Sequence, residues 1–183
     1  MDYLKKIFKE SIIIVLISSV MGLFSGTVLS NNERVLTSFP IILLVLPSLN
    51  SLIGDISTVL VSRLTSHLYI GTLSPKIQHS ERLKQDFYGL LITILLSLVA
   101  LISLGYILGS VIGIEIVNPF LIISIIIITV LILFGLMFVF LFMGSILIFR
   151  KGNDPNNFLI PIVTSLADFL TPLFIIIFIQ IFI

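Results

Sequence analysis

Five long apolar stretches make up most of this chain, and they fix the medium in which it can fold. They run from Ser11 to Leu29, Phe39 to Leu73, Phe87 to Ile112, Pro119 to Phe149 and Phe158 to Ile183. A helix of about 20 apolar residues crosses a hydrocarbon core, and each stretch is close to or beyond that length. Inside lipid the backbone must satisfy its own N–H and C=O groups, so such stretches fold as helices. Composition agrees: 58% of the 183 residues are hydrophobic and 10% charged, with a mean hydropathy of +1.28. The predicted class is an all-α integral membrane protein, a single transmembrane domain over residues 1–183 with five spanning helices. The short loops leave no room for a soluble catalytic, nucleotide-binding or regulatory domain, so neither an enzyme nor a resident cofactor is expected. Cysteine is absent, which removes disulfides and thiolate metal sites.

Charge placement sets the expected orientation. Lys5, Lys6 and Lys9 precede the first stretch, Lys76, Arg82 and Lys84 follow the second, and Arg150 and Lys151 follow the fourth. The other two loops hold only Arg34 beside Glu33, and Glu115. Cytoplasmic loops carry the excess of Lys and Arg, so the N-terminus is expected in the cytoplasm and the C-terminus outside a plasma membrane. The basic start followed by an apolar run resembles a secretory signal but lacks a small-residue cleavage site, and it reads as a retained first helix. The Lys76–Lys84 loop suits anionic lipid headgroups. It is too short and mixed to indicate nucleic-acid binding.

Two residues stand out against this apolar background. Asp55 and Asp168 each lie deep within a stretch, each downstream of a proline and directly after a small residue, Gly54 or Ala167. A carboxylate at the centre of a membrane helix costs roughly 2.5 to 3.5 kcal/mol on insertion scales. Ser48, Ser51, Asp55, Thr58, Ser62 and Thr65 follow one another at alternating steps of three and four and form one polar stripe on a helix. Hydroxyls alone would fit interhelical hydrogen bonding, but Asp55 does not. Pro161, Thr164, Asp168 and Thr171 form a second stripe. The phrases from Pro47 to Asp55 and from Pro161 to Asp168 are alike and cross the membrane in opposite directions, a pattern found at midplane sites of transporters with inverted repeats.

Other features have plainer readings. Small residues at four-residue spacing, Ser18, Gly22, Gly26 and Ser30 in the first stretch and Gly105, Gly109 and Gly113 in the third, predict close helix packing. The fourth stretch is nearly all Ile, Leu and Phe and is expected to face lipid. Arg63 is expected either to pair with a carboxylate or loop carbonyl or to snorkel, and His67 to sit at the interface. Asp154 before Pro155 predicts a helix N-cap. Asn156 and Asn157 beside it are candidate oxygens for an inner mouth. Pro47, Pro161 and Pro172 free backbone carbonyls within membrane helices.

The second and fifth stretches carry a resemblance. Pro47-Ser48-Leu49-Asn50-Ser51-Leu52-Ile53-Gly54-Asp55, with Ser62-Arg63-Leu64-Thr65 and Tyr69-Ile70-Gly71 after it, forms one motif. Asp154-Pro155-Asn156-Asn157, Pro161, Thr164-Ser165-Leu166-Ala167-Asp168 and Thr171 form the other and more specific one. Together they resemble the membrane domain of the MgtE-type magnesium transporters and, more closely, their animal solute-carrier relatives. The resemblance implies a homodimer whose second and fifth helices line a path for Mg²⁺ on the two-fold axis, with the aspartate matching Asp168 facing that path and holding the ion. Where the family has a glycine and asparagine on the second helix, this chain has Gly54 and Asp55, a departure that doubles the acids per protomer. The cytoplasmic sensor domains of bacterial members have no counterpart in this sequence.

Mg²⁺ takes near-octahedral oxygen coordination and sheds water reluctantly, so a transport site should hold a largely hydrated ion through carboxylates and hydroxyls. The expected metal-site residues are therefore Asp168 first and Asp55 second, with Thr164, Thr171, Ser51 and Thr58 lining the path and Asp154 and Asn157 at its mouth. Neither stripe offers sulfur or imidazole, the ligands of softer metals. Mn²⁺, Co²⁺ and Ca²⁺ are the competing cargoes, and channel and carrier mechanisms both fit. Two other uses of intramembrane acids are weighed. One is a proton-coupled carrier that loads protons on the aspartates. The other is an intramembrane aspartyl protease, disfavoured because Leu52 occupies the first glycine position of the usual Gly-x-Gly-Asp phrase.

Overall fold

Each apolar stretch forms the body of a helix in the computed structural model, which describes residues 2–76, 78 and 80–182; the second stretch, Phe39 to Leu73, runs a few residues beyond its helix. Ile183 lies outside the described residues, as do the side chains of Lys5, Lys6 and Lys9. The elements are α1 (Asp2–Asn31), a short α2 (Glu33–Thr37), α3 (Pro40–Ile70), α4 (Glu81–Ile112), α5 (Pro119–Arg150) and α6 (Pro155–Phe182). All but α2 are long and apolar enough to cross a membrane. Among the described residues there is no strand. The helices overrun some of the apolar stretches: α4 begins at Glu81 and α6 at Pro155. A helix continues through polar residues at the interface, whereas hydropathy marks only the part inside lipid.

Local chemistry sets the boundaries. Pro40 and Pro119 sit in the first turns of α3 and α5, where a missing N–H leaves no bond unmade. Gly71 and Gly113 end α3 and α4 in the left-handed region, at φ 80° in both. Gly113 is thus a cap and not a packing residue. Its neighbours in the same spacing do pack: a Cβ on Gly105 would stand 2.5 Å from Val45 Cγ1, and one on Gly109 would stand 2.9 Å from Ile41 Cδ1. These two glycines let α4 lie directly against α3.

The helices alternate in direction and two of them form the centre. α3 and α6 pack on each other, α5 packs against both, α1 docks on α6 and α4 on α3. One end of the bundle collects the α3–α4 and α5–α6 loops, tied by the Arg150 guanidinium donating to the Pro75 carbonyl. At the other end Gln180 donates to Asn32 Oδ1 at 3.2 Å, and Tyr106 donates to the Pro119 carbonyl at 3.2 Å.

The structure corrects one expectation about α5. Far from simply facing lipid, it buries Ile122, Ile125, Ile126, Val130, Leu133 and Leu141 in the core. Uniform apolarity does not separate a lipid-facing helix from a central one, because lipid tails and a protein core are equally apolar. The glycines of α1 also differ from expectation. Nothing lies within 4 Å of a Cβ built on Gly22 or Gly26. The packed face of α1 is marked instead by Ser18 and Ser25, which donate to the carbonyls of Pro161 (3.2 Å) and Asp168 (2.6 Å). Equal seven-residue steps on the two helices make α1 and α6 parallel. The Asp168 carbonyl is the one that Pro172, four residues on, leaves without a helical N–H. Ser25 supplies the missing donor.

Candidate functional site

Asp55 is the central residue of α3, and Asp168 lies at the middle of α6. The two helices touch immediately beside these acids. A Cβ on Gly54 would meet Ala167 Cβ and Thr164 Cγ2, both at 3.9 Å, an ordinary van der Waals separation, so α3 and α6 adjoin here with room for a methyl group. Gly54 and Ala167 are buried. Each is followed by its aspartate.

Antiparallel packing turns this into a shared face. One residue on from a contact rotates about 100° around a helix. In two antiparallel helices viewed from one end, those rotations swing the next side chains to the same side of the seam. Asp55 and Asp168 therefore emerge together. Ser51 and Thr58, three or four positions from Asp55 and Gly54, and Thr164, three before Ala167, fall on the same side by the same rule. Exposure agrees: Ser51, Asp55, Thr164 and Asp168 are exposed on the protomer and Thr58 is half-buried. Among the described residues neither carboxylate has a cationic partner. The Thr164 hydroxyl donates to its own helix at the Pro161 carbonyl, 3.0 Å away, leaving its lone pairs outward.

A cleft of about 430 Å³ begins one turn from Asp55 on the same α3 face. Thr58, Ser62, Arg63, Ser66 and His67 line it. It runs toward the end that carries the basic loops.

Not every expected residue joins this face. Thr171 is fully buried between helices, its hydroxyl oxygen without a hydrogen bond. Its spacing from Ala167 matches that of Thr58 from Gly54, so the packing around α6, and not its place in the stripe, buries it. Thr65, the last hydroxyl of the α3 stripe, is buried as well. Asp154 caps α6, accepting the Asn156 N–H at 2.9 Å, and Asn157 is exposed beside it. At 1.5 Å per residue, both lie roughly 15 to 20 Å along the helix from Asp168. They belong to one end of the seam and not to its centre. Among the described residues no group of three or more His, Asp or Glu side chains forms a ready-made metal cage within the protomer.

Sequence reading missed Asp86. This α4 residue is 2% exposed. Its Oδ1 accepts Arg63 Nε and lies 2.6 Å from Arg63 Nη2. Its Oδ2 lies 3.3 Å from His67 Nε2. His67 Nδ1 contacts Thr72 Oγ1 at 2.8 Å. Arg63 thus takes the carboxylate partner that was one of its expected fates. The sequence offers only a weak signal: Asp86 directly precedes the third apolar stretch, where an acid, like Glu81 before it, is ordinary.

A family model for the MgtE divalent cation transporters matches residues 46–178, from just before the first proline-led phrase almost to the end of α6. No curated relative and no solved structure matches the chain at a significant level. The match covers most of the chain, from within α3 to within α6, and the chain's five spanning helices fit a multi-pass membrane protein. The chain belongs to the MgtE family of divalent cation transporters.

Proposed function

We propose that this chain moves Mg²⁺ across the plasma membrane as a homodimer, through a path formed where the α3–α6 faces of two protomers meet. The observation that carries the reading is the pair of carboxylates, Asp55 and Asp168, without a cationic partner among the described residues and exposed on one side of the α3–α6 seam at mid-helix. Facing lipid, they would add two large insertion penalties with no return. Facing a second copy across a two-fold axis, they bring four carboxylates toward one water-clad divalent ion. Oxygen donors alone suit Mg²⁺ over softer metals, and the Thr164, Ser51 and Thr58 hydroxyls accept hydrogen bonds from its retained waters.

In this reading Asp168 is the principal ligand and Asp55 the second. Thr171 acts from inside the seam, and Asp154 and Asn157 draw cations to the mouth. The basic loops lie in the cytoplasm, so the mouth beside Asp154 is the inner one. The chain works as one membrane domain, as a transporter and not an enzyme, without a resident cofactor. The test is Mg²⁺ flux into liposomes loaded with a fluorescent indicator. Asp168→Ala is expected to lower flux at least about a hundredfold, and flux equal to wild type would overturn the ligand assignment.

A further inference from the structure

Arg63 stands between two clefts. On one side is the cleft that starts at Thr58, one turn from Asp55. On the other is a cleft between α3 and α4, lined by Val59, Gln85, Asp86, Gly89 and Thr93 among others. The arginine side chain is 53% exposed, yet its guanidinium is drawn to a carboxylate whose side chain is 1% exposed. An arginine at the end of a membrane helix needs no such partner, because it can snorkel to the headgroups. Nor is a buried ion pair an economical staple, since apolar side chains of similar size commonly hold helices as well or better. What the pair does accomplish is to fix where one positive charge resides.

We propose that Asp86 is a positioning residue for cation transport: it holds and neutralises the Arg63 guanidinium on the α4 side, at the wall of the cleft leading from Asp55, so that the charge does not turn across it. The inference rests on the path proposed above. Without Asp86 the guanidinium is free to turn into the Thr58–Ser62–Ser66 cleft. There its repulsion acts on a divalent ion with twice the energy it would exert on a monovalent one. His67 Nε2 lies 3.3 Å from the second carboxylate oxygen.

The test compares Mg²⁺ flux in liposomes for wild type, Asp86→Asn, Arg63→Gln and the Arg63→Gln/Asp86→Asn double variant, with Asp168→Ala as the control for the path. At low ionic strength Asp86→Asn is expected to reduce flux about tenfold, with the defect shrinking as salt screens the freed charge. Arg63→Gln and the double variant are expected to stay within about twofold of wild type, because neither places a guanidinium in the cleft. A helix staple behaves otherwise. If Arg63→Gln falls as far as Asp86→Asn and the double variant is not rescued, or if none of the three yields folded protein, the proposal is overturned. Unaltered flux in Asp86→Asn, alongside loss in Asp168→Ala, defeats this inference and leaves the path intact. Wild-type flux in Asp168→Ala defeats the path and this proposal with it.

Discussion

Asp55, Asp86 and Asp168 lie within α3, α4 and α6, and they live in two different ways. Asp86 is buried, shares its carboxylate with Arg63 and sits beside His67. Asp55 and Asp168 are exposed on the protomer, close together in the fold, and among the described residues hold no cation of the chain's own. The first has a cation of its own chain on Oδ1, with Oδ2 buried and without a hydrogen bond. The other two have their charge left open, next to a seam where Gly54 adjoins Ala167. A carboxylate already paired positions its partner, whereas in the proposed reading the two left open on one face are the place for a cation.

That contrast should separate cleanly under mutation. Replacing Asp55 and Asp168 together by asparagine is expected to abolish Mg²⁺ flux, by a hundredfold or more, while leaving the thermal midpoint in Mg²⁺-free detergent unchanged or higher. Two like charges are then removed from one face. A fall in that midpoint would show that the pair is architectural after all. Asp86→Ala is expected to do the reverse to stability, lowering it by about 2 kcal/mol in chemical denaturation, since Arg63 and His67 lose a buried acceptor. An unchanged midpoint would place Asp86 with the open acids. Asp55→Asn alone, which restores the residue expected from the family pattern, should weaken apparent Mg²⁺ affinity about tenfold and retain transport. Complete loss would make Asp55 the equal of Asp168. The smallest effect is expected at Ser25→Ala, which strands the carbonyl freed by Pro172. About 1 kcal/mol of stability is lost, measured in the same denaturation assay, with flux nearly unaffected.

How much of this was legible beforehand follows from what kind of signal each residue gives. The five spans and the two polar stripes are periodic over many residues, and period survives without knowledge of neighbours. Asp55 and Asp168 were legible because a lone acid in an apolar run is costly wherever the helix packs. Asp86 was not, because it sits at the edge of its apolar stretch, where an acid at the interface is ordinary. Its meaning depends on Arg63, 23 positions away. The central place of α5 was hidden for a related reason: side chains that suit lipid also suit a core. Thr171 shows the finer limit. A stripe at steps of three and four spans a wide arc, and only the packing of α6 on α3 decides which edge of that arc turns inward.

The account stands or falls on whether the face bearing Asp55 and Asp168 is wet and visited by ions. The chain contains no cysteine, so Thr164→Cys introduces a single thiol on that face, and its labelling by a water-soluble, membrane-impermeant thiol reagent can be followed with and without Mg²⁺. Labelling that is rapid without Mg²⁺ and slowed severalfold by millimolar Mg²⁺, but not by Na⁺ at equal ionic strength, is the expected result. Reaction only with a lipid-soluble reagent, indifferent to Mg²⁺, would put the two aspartates against lipid and contradict the account.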